Sequence, residues 1–133
     1  MQDNNRIILQ CDLYNVIELD NGCCGQILQR CRTKFFWRKW KKKFFQYQNG
    51  RLHLWNKSES HRNCKKINVK TTTTITNIIP CTYLMNYTVY KFIIQKGNGK
   101  YTFASPRREK ISLLWNYLYA HINSERSDIF FPC

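Results

Sequence analysis

The chain has 133 residues, 43% of them hydrophobic and 15% aromatic, enough apolar side chains to bury the core of one compact domain and too many for a disordered chain. Its formal net charge is +14, and the excess is local: residues 30–66 carry thirteen of the 22 Lys and Arg against the single acid Glu59. No apolar run approaches the ~20 residues that span a bilayer, and an N-terminus bearing Asp3, Asp12, Glu18 and Asp20 does not read as a signal peptide.

The seven cysteines (Cys11, Cys23, Cys24, Cys31, Cys64, Cys81, Cys133) include no C-x-x-C pair. A zinc site normally draws on two such short-spaced pairs, so reduced thiols and a chain without metal or cofactor are expected.

Along the chain, residues 4–19 place Ile8, Leu9, Leu13, Val16 and Ile17 at helical spacing, predicting an amphipathic helix, with a strand through Arg6–Leu9 as the competitor. Asp20-Asn21-Gly22 ends that element. The stretch from Cys24 to Tyr47, CGQILQRCRTKFFWRKWKKKFFQY, has an apolar entry, a basic and aromatic middle and an aromatic exit. It reads as two strands joined by a cationic loop. Asn49-Gly50 closes the second strand, because both residue types tolerate positive φ, and Leu52 and Leu54 alternate with polar neighbours in a third. Residues 56–63 form a polar loop. Lys65 to Ile79 is rich in β-branched side chains and predicts one or two strands, followed by a connection over residues 80–86. Tyr87–Gln95 and Lys100–Ala104 flank Gly97-Asn98-Gly99 as a hairpin. Then the period changes: Ser105 is the expected N-cap and Pro106 the first helical residue, with Ile111, Leu114, Trp115, Leu118, Tyr119 and Ile122 on the apolar face of a helix over 106–124.

No catalytic constellation can be assembled. His53, His61 and His121 have no acid at a suggestive spacing, and neither a nucleophile elbow, a P-loop nor a His-Glu-x-x-His motif is present. A catalytic histidine needs an orienting partner, so the expectation is a binding protein, not an enzyme.

Gly25-Gln26-Ile27 preceding Trp40-Lys41-Lys42-Lys43-Phe44-Phe45 resembles the first hairpin of a pleckstrin homology (PH) domain. Tyr101-Thr102-Phe103-Ala104-Ser105 resembles that family's last strand, and Trp115 stands where its barrel-plugging helix tryptophan would. The resemblance covers roughly residues 24–124. It implies a mainly β fold, a bent seven-stranded antiparallel sandwich or barrel capped by a C-terminal α-helix. Residues 1–22 would be an extension packed on the domain, 23–124 the domain itself and 125–133 a tail.

The resemblance further implies a membrane-targeting module that binds anionic phospholipid head groups, phosphoinositide or phosphatidic acid, from a cytoplasmic, peripherally membrane-associated position. Lys41 and Lys43 match the family's basic-x-basic pair. Residues two apart share a strand face, which puts them on the side of Phe45 and Tyr47, at the mouth of the barrel. Where the family's first strand carries Lys, this chain has Gln29. Lys43 stands where tight binders have Arg, with loss of bidentate geometry. Looser recognition is therefore expected, from a head-group set of Arg30, Arg32, Lys34, Arg38, Lys39, Lys41, Lys42, Lys43, Lys57 and Arg62. Arg30, Arg32 and Lys42 would face outward, and Phe35, Phe36 and Trp37 would insert at the headgroup level. Small acylated PH proteins that sense phosphatidic acid are similar in size and charge, although Gln2 occupies the place where N-myristoylation needs Gly. Two alternatives share the composition. One is a protein- or peptide-binding member of the PH superfold that uses the groove beside the C-terminal helix. The other is a single-stranded nucleic-acid binder, against which the helix with Trp115 argues.

Overall fold

A computed structural model describes residues 14–32, 38–56, 65–70, 72–83 and 87–130. Among the described residues nine strands and one helix follow in order: β1 (Val16–Leu19), β2 (Gly22–Arg32), β3 (Arg38–Gln48), β4 (Arg51–Trp55), β5 (Lys65–Asn68), β6 (Thr74–Ile75), β7 (Ile79–Tyr83), β8 (Tyr87–Lys96), β9 (Gly99–Ser105) and α1 (Arg108–Phe130). The fold is mainly β. One curled antiparallel sheet runs β5-β4-β3-β2-β9-β8-β6, with β1 added to β2 and β7 to β8, and the C-terminal helix packs on it. No helix among the described residues is long and apolar enough to cross a membrane.

The β2–β3 hairpin is the longest pairing, in continuous register from Gly22↔Gln48 to Arg32↔Arg38. Alternation divides its side chains. Cys23, Ile27, Phe45 and Tyr47 enter the main core with Leu52, Leu54, Ile67, Phe92, Ile94 and Phe103, on the concave face. Leu28 goes the other way, into a small second cluster with Tyr14, Val89 and Ala104, against which Trp40 and Cys81 pack.

Two glycines are required where they stand. Asn49 and Gly50 turn β3 into β4 with φ of 50° and 82°, the positive values a two-residue hairpin demands. A Cβ on Gly50 would also strike the His121 ring of α1. Gly25 lies beneath the entering chain, where a Cβ would run into the Asn15 carbonyl oxygen, the same oxygen that accepts the Gln26 N–H at 3.2 Å.

Several expectations are corrected. Of the helix predicted over residues 4–19, the described part Val16–Leu19 is a strand, and residues 1–13 lie outside the described residues. The Asp20-Asn21 turn, with Asn21 at φ 60°, folds the segment back onto Gly22–Gly25. Val16 is then buried while Ile17 is 58% exposed, a period of two in place of the 3.6 that the apolar spacing predicts. The described part of the N-terminal extension thus pairs with the domain as a strand of its sheet. Residues 80–83, read as connection, belong to β7, which pairs with β8 from Ile79↔Lys91 to Tyr83↔Tyr87; Pro80 is tolerated because β7 is paired with β8 alone. The threonine run yields only the two-residue β6, since Thr73 is buried and spends its Oγ1 on the Lys70 N–H at 3.0 Å.

The helix begins at Arg108 and runs to Phe130, shifted from the expected 106–124. Ser105 does not cap it. That residue is the buried end of β9, and its Oγ accepts the Arg107 N–H at 3.0 Å, turning the chain before the helix starts. Trp115 packs against the edge of the core and is not buried within it. Ile111, Leu114, Leu118 and Ile122 form the buried stripe. One residue beyond Leu114 is a rotation of about 100°, which leaves Trp115 half-buried, stacked on Tyr119 at 4.7 Å and donating its Nε1–H to the Thr76 carbonyl at 2.8 Å. On the next turn the Tyr117 hydroxyl donates to Glu18 at 2.8 Å, tying α1 to β1.

Leu118→Ala should therefore destabilise the domain by about 2–5 kcal/mol in urea unfolding. Trp115→Phe keeps a six-membered aromatic ring, loses the indole N–H hydrogen bond to Thr76 and should cost about 0.5–1.5 kcal/mol. A Trp115→Phe loss as large as that of Leu118→Ala would contradict this division of the helix.

Candidate functional site

The β2–β3 register builds a cationic rim at one end of the sheet. Lys39, Lys41 and Lys43 alternate with Trp40, Lys42 and Phe44, and they share the strand face that continues into buried Phe45 and Tyr47. Lys39 and Lys41 are exposed and Lys43 is half-buried. Their partners on β2 are Cys31, Gln29 and Ile27 in turn. The predicted parity of Lys41 and Lys43 is thus what the backbone holds, and Gln29 stands directly opposite Lys41. The neutral residue faces the lysine row from the adjacent strand, so the rim there has a hydrogen-bonding amide where a further cation would have stood.

On the other face of the same hairpin, Arg30 pairs with Trp40 and its guanidinium carbon lies 5.8 Å from the ring centroid. This cation–π contact holds one arginine against the convex surface. Lys42 pairs with Leu28 and is half-buried there. Arg32 and Arg38 are register partners at the very end of the ladder. Lys34, Phe35, Phe36, Trp37, Lys57 and Arg62 lie outside the described residues.

Sequence reasoning missed the opposite rim. Lys65 starts β5 and reaches over the Tyr101 ring of β9, its Nζ 5.0 Å from the centroid. Lys96 and Lys100 flank the Gly97-Asn98 turn at this same end of the sheet. The local signal was present, since a turn written Lys-Gly-Asn-Gly-Lys displays two cations. What it lacked was the non-local closure that brings β5 and β9 within reach of each other across the mouth. Glu18 and Asp20 lie on the β1–β2 hairpin at the far end of β2, and Glu109, in the first turn of α1, pairs with Arg107 at 3.5 Å.

Among the described residues no group of three or more His, Cys, Asp and Glu side chains is gathered to hold a metal ion. Cys23, Cys24, Cys31 and Cys81 are free thiols. Cys23 lies deep on the concave face, and burial first, then the neighbouring Cys24 and Glu18 charges, push its thiol up to about 12. No family model matches the chain, and no curated protein matches it.

The Cys23 environment has a measurable consequence. Its pKa is raised on folding, so its stabilising contribution is complete below the ordinary thiol value near 9 and is lost as pH rises from there towards 12. In the folded protein at pH 8, iodoacetamide with peptide mapping should modify Cys24 and leave Cys23 intact until denaturant is added. Equal rates at the two thiols would contradict the buried placement.

Proposed function

We propose that the chain is a non-catalytic membrane-targeting module that binds anionic phospholipid head groups at this cationic mouth. One observation carries the reading: the β2–β3 register sets Lys39, Lys41 and Lys43 on one concave face, with Lys65 and Tyr101 across from them. The opening offers ammonium groups, the Gln29 amide, the Cys31 thiol and the Tyr101 ring, and the ammonium groups and the amide are donors suited to phosphate oxygens. Ammonium groups act on phosphate as point charges and do not impose the bidentate geometry of a guanidinium, and the neutral Gln29 stands opposite Lys41 on the neighbouring strand. Recognition is accordingly by charge density, with modest discrimination among phosphatidic acid and the phosphoinositides. Arg30 adds to the attraction from the convex side, and Arg32 and Arg38 are backbone partners at the end of the hairpin. Such a module works at a membrane surface from the cytoplasmic side, where anionic lipids are concentrated. Nucleic acid fits the mouth less well, because base stacking needs successive exposed rings along a groove and Tyr101 is already covered by Lys65.

In vesicle co-sedimentation the chain should bind phosphatidylcholine vesicles carrying phosphatidic acid or phosphoinositide, and not phosphatidylcholine alone. Binding should weaken as salt rises from 0.1 M to 1 M and the Debye length falls from about 10 Å to 3 Å. Replacing Lys41 and Lys43 by Gln removes about 2 kcal/mol, roughly 30-fold in affinity, and replacing Arg30 and Arg32 by Gln should cost at least as much. Equal binding to neutral vesicles would overturn the proposal. A strong preference for one inositol phosphate isomer, lost only with the lysine pair, would overturn the reading of Gln29.

A further inference from the structure

The convex face of the β1–β4 sheet carries a groove that the lipid reading does not use. The register writes it as three rows across the strands. The first is Gln26–Phe44–Trp55, the second Ile17–Cys24–Gln46–His53–Lys66, and the third Gly22–Gln48–Arg51–Asn68. Polarity is graded from row to row. At the aromatic end, Phe44 and Trp55 stack at 6.1 Å and line, with Ile17, Cys24 and Gln26, a cavity of about 360 Å³. At the polar end, Gln46 continues into a second hollow of about 320 Å³ lined by Gln48, Arg51 and His53. Ligand sites are of this size and kind: an apolar body with a few converging polar groups.

Two details fix the chemistry of an occupant. Ile17 is 58% exposed at the groove's edge, an apolar contact left open. The side-chain carbonyl oxygen of Gln26 is buried in the aromatic end and accepts no hydrogen bond, a situation that proteins seldom leave uncorrected. It calls for a donor carried on an apolar body. Once the Gln26 side chain turns its amide outward into the cavity it lines, a tryptophan N–H or a tyrosine O–H is that donor, and its ring matches the Phe44–Trp55 wall. Beyond the ring, Arg51 and Lys66 supply positive charge on a face that already belongs to a chain of net charge +14, so the flanking groups of the occupant are carboxylates.

We propose that this groove docks an acidic peptide segment that presents one tryptophan or tyrosine. The ring enters between Ile17 and the Phe44–Trp55 stack and donates to Gln26 Oε1, and neighbouring Asp or Glu side chains meet Arg51 and Lys66. The groove lies along the strands from the mouth and on the opposite face, so one molecule can hold a membrane with one surface and a protein with the other.

The test uses the full chain and fluorescein-labelled peptides in fluorescence polarisation at physiological salt. The probes are Glu-Asp-Trp-Asp-Glu, its Leu-centred counterpart Glu-Asp-Leu-Asp-Glu, and the basic Lys-Arg-Trp-Arg-Lys. The acidic tryptophan peptide should bind at least about 10-fold tighter than either control, a margin of about 1.4 kcal/mol. Ile17→Asp, which places a carboxylate on an already exposed position, should abolish that preference while retaining binding to phosphatidic-acid vesicles. Gln26→Leu should reduce the tryptophan-over-leucine margin, and Arg51→Gln should weaken both acidic peptides. Equal affinity for the Trp- and Leu-centred peptides, binding indifferent to Ile17→Asp, or no saturable binding would each overturn the proposal. Loss of vesicle binding in Ile17→Asp, with vesicles displacing the peptide from the parent chain, would assign the groove to lipid and overturn it as well. Retained vesicle binding alongside absent peptide binding would sink this inference and leave the lipid reading standing.

Discussion

Everything in this molecule depends on the register of β2 against β3. Side chains alternate along a strand, so a slip of one residue would carry Lys39, Lys41 and Lys43 to the convex face and bury their neighbours in their place. The register is fixed at several points. The Asn49-Gly50 turn, both residues at positive φ, sets where β3 ends and β4 begins. Gly25 admits the chain at Asn15 from one side of β2. Cys23, Ile27, Phe45 and Tyr47 then have burial on the concave face that no shifted pairing would give them. The hydrophobic interior thereby decides where the cations of the hairpin point.

From that constraint follow two surfaces of different chemistry. The concave side at the mouth gathers ammonium groups from β3 and β5 around Gln29 and Tyr101. The convex side carries Arg30 on Trp40, the small cluster around Leu28, and the graded groove from Trp55 to Arg51. The helix contributes by closing the core. Leu114 and Leu118 are fully buried, and its contacts with Glu18 through Tyr117 and with the Asn49-Gly50 turn through His121 hold the end of the sheet remote from the lysines.

How far this was legible in the sequence varies with the range of the interaction. The hairpins at Asn49-Gly50 and Gly97-Asn98 and the strand faces around Lys41 and Phe45 were readable, because turn chemistry and alternation are local. The mainly β architecture followed from their order. The segment around Val16 misled because Val16-Ile17 alone fits either period, and a tight turn, with pairing to β2, chose the strand. Trp115 was read as fully buried because its place beside Leu114 in the apolar stripe does not say which of two adjacent residues reaches the centre of the core and which packs at its edge. The rim of Lys65 and Tyr101, the Arg30–Trp40 contact and the buried oxygen of Gln26 were not readable, since each depends on strands far apart in sequence. Their types were visible; their neighbours were not.

The central claim is that the molecule meets a membrane with the lysine end of the β2–β3 hairpin. The two ends of β2 are about 33 Å apart at the usual rise of an extended strand, so the claim is one of orientation and can be measured as such. Amide NMR of the chain on bicelles containing phosphatidic acid and a spin-labelled lipid reads it directly. The account predicts strong paramagnetic broadening at Lys39, Lys41, Gly99 and Lys100, with Asn21, Asn49 and Gly50 sharp at the far end. Broadening centred on Asn21 and Asn49, or spread evenly over both ends, would contradict it.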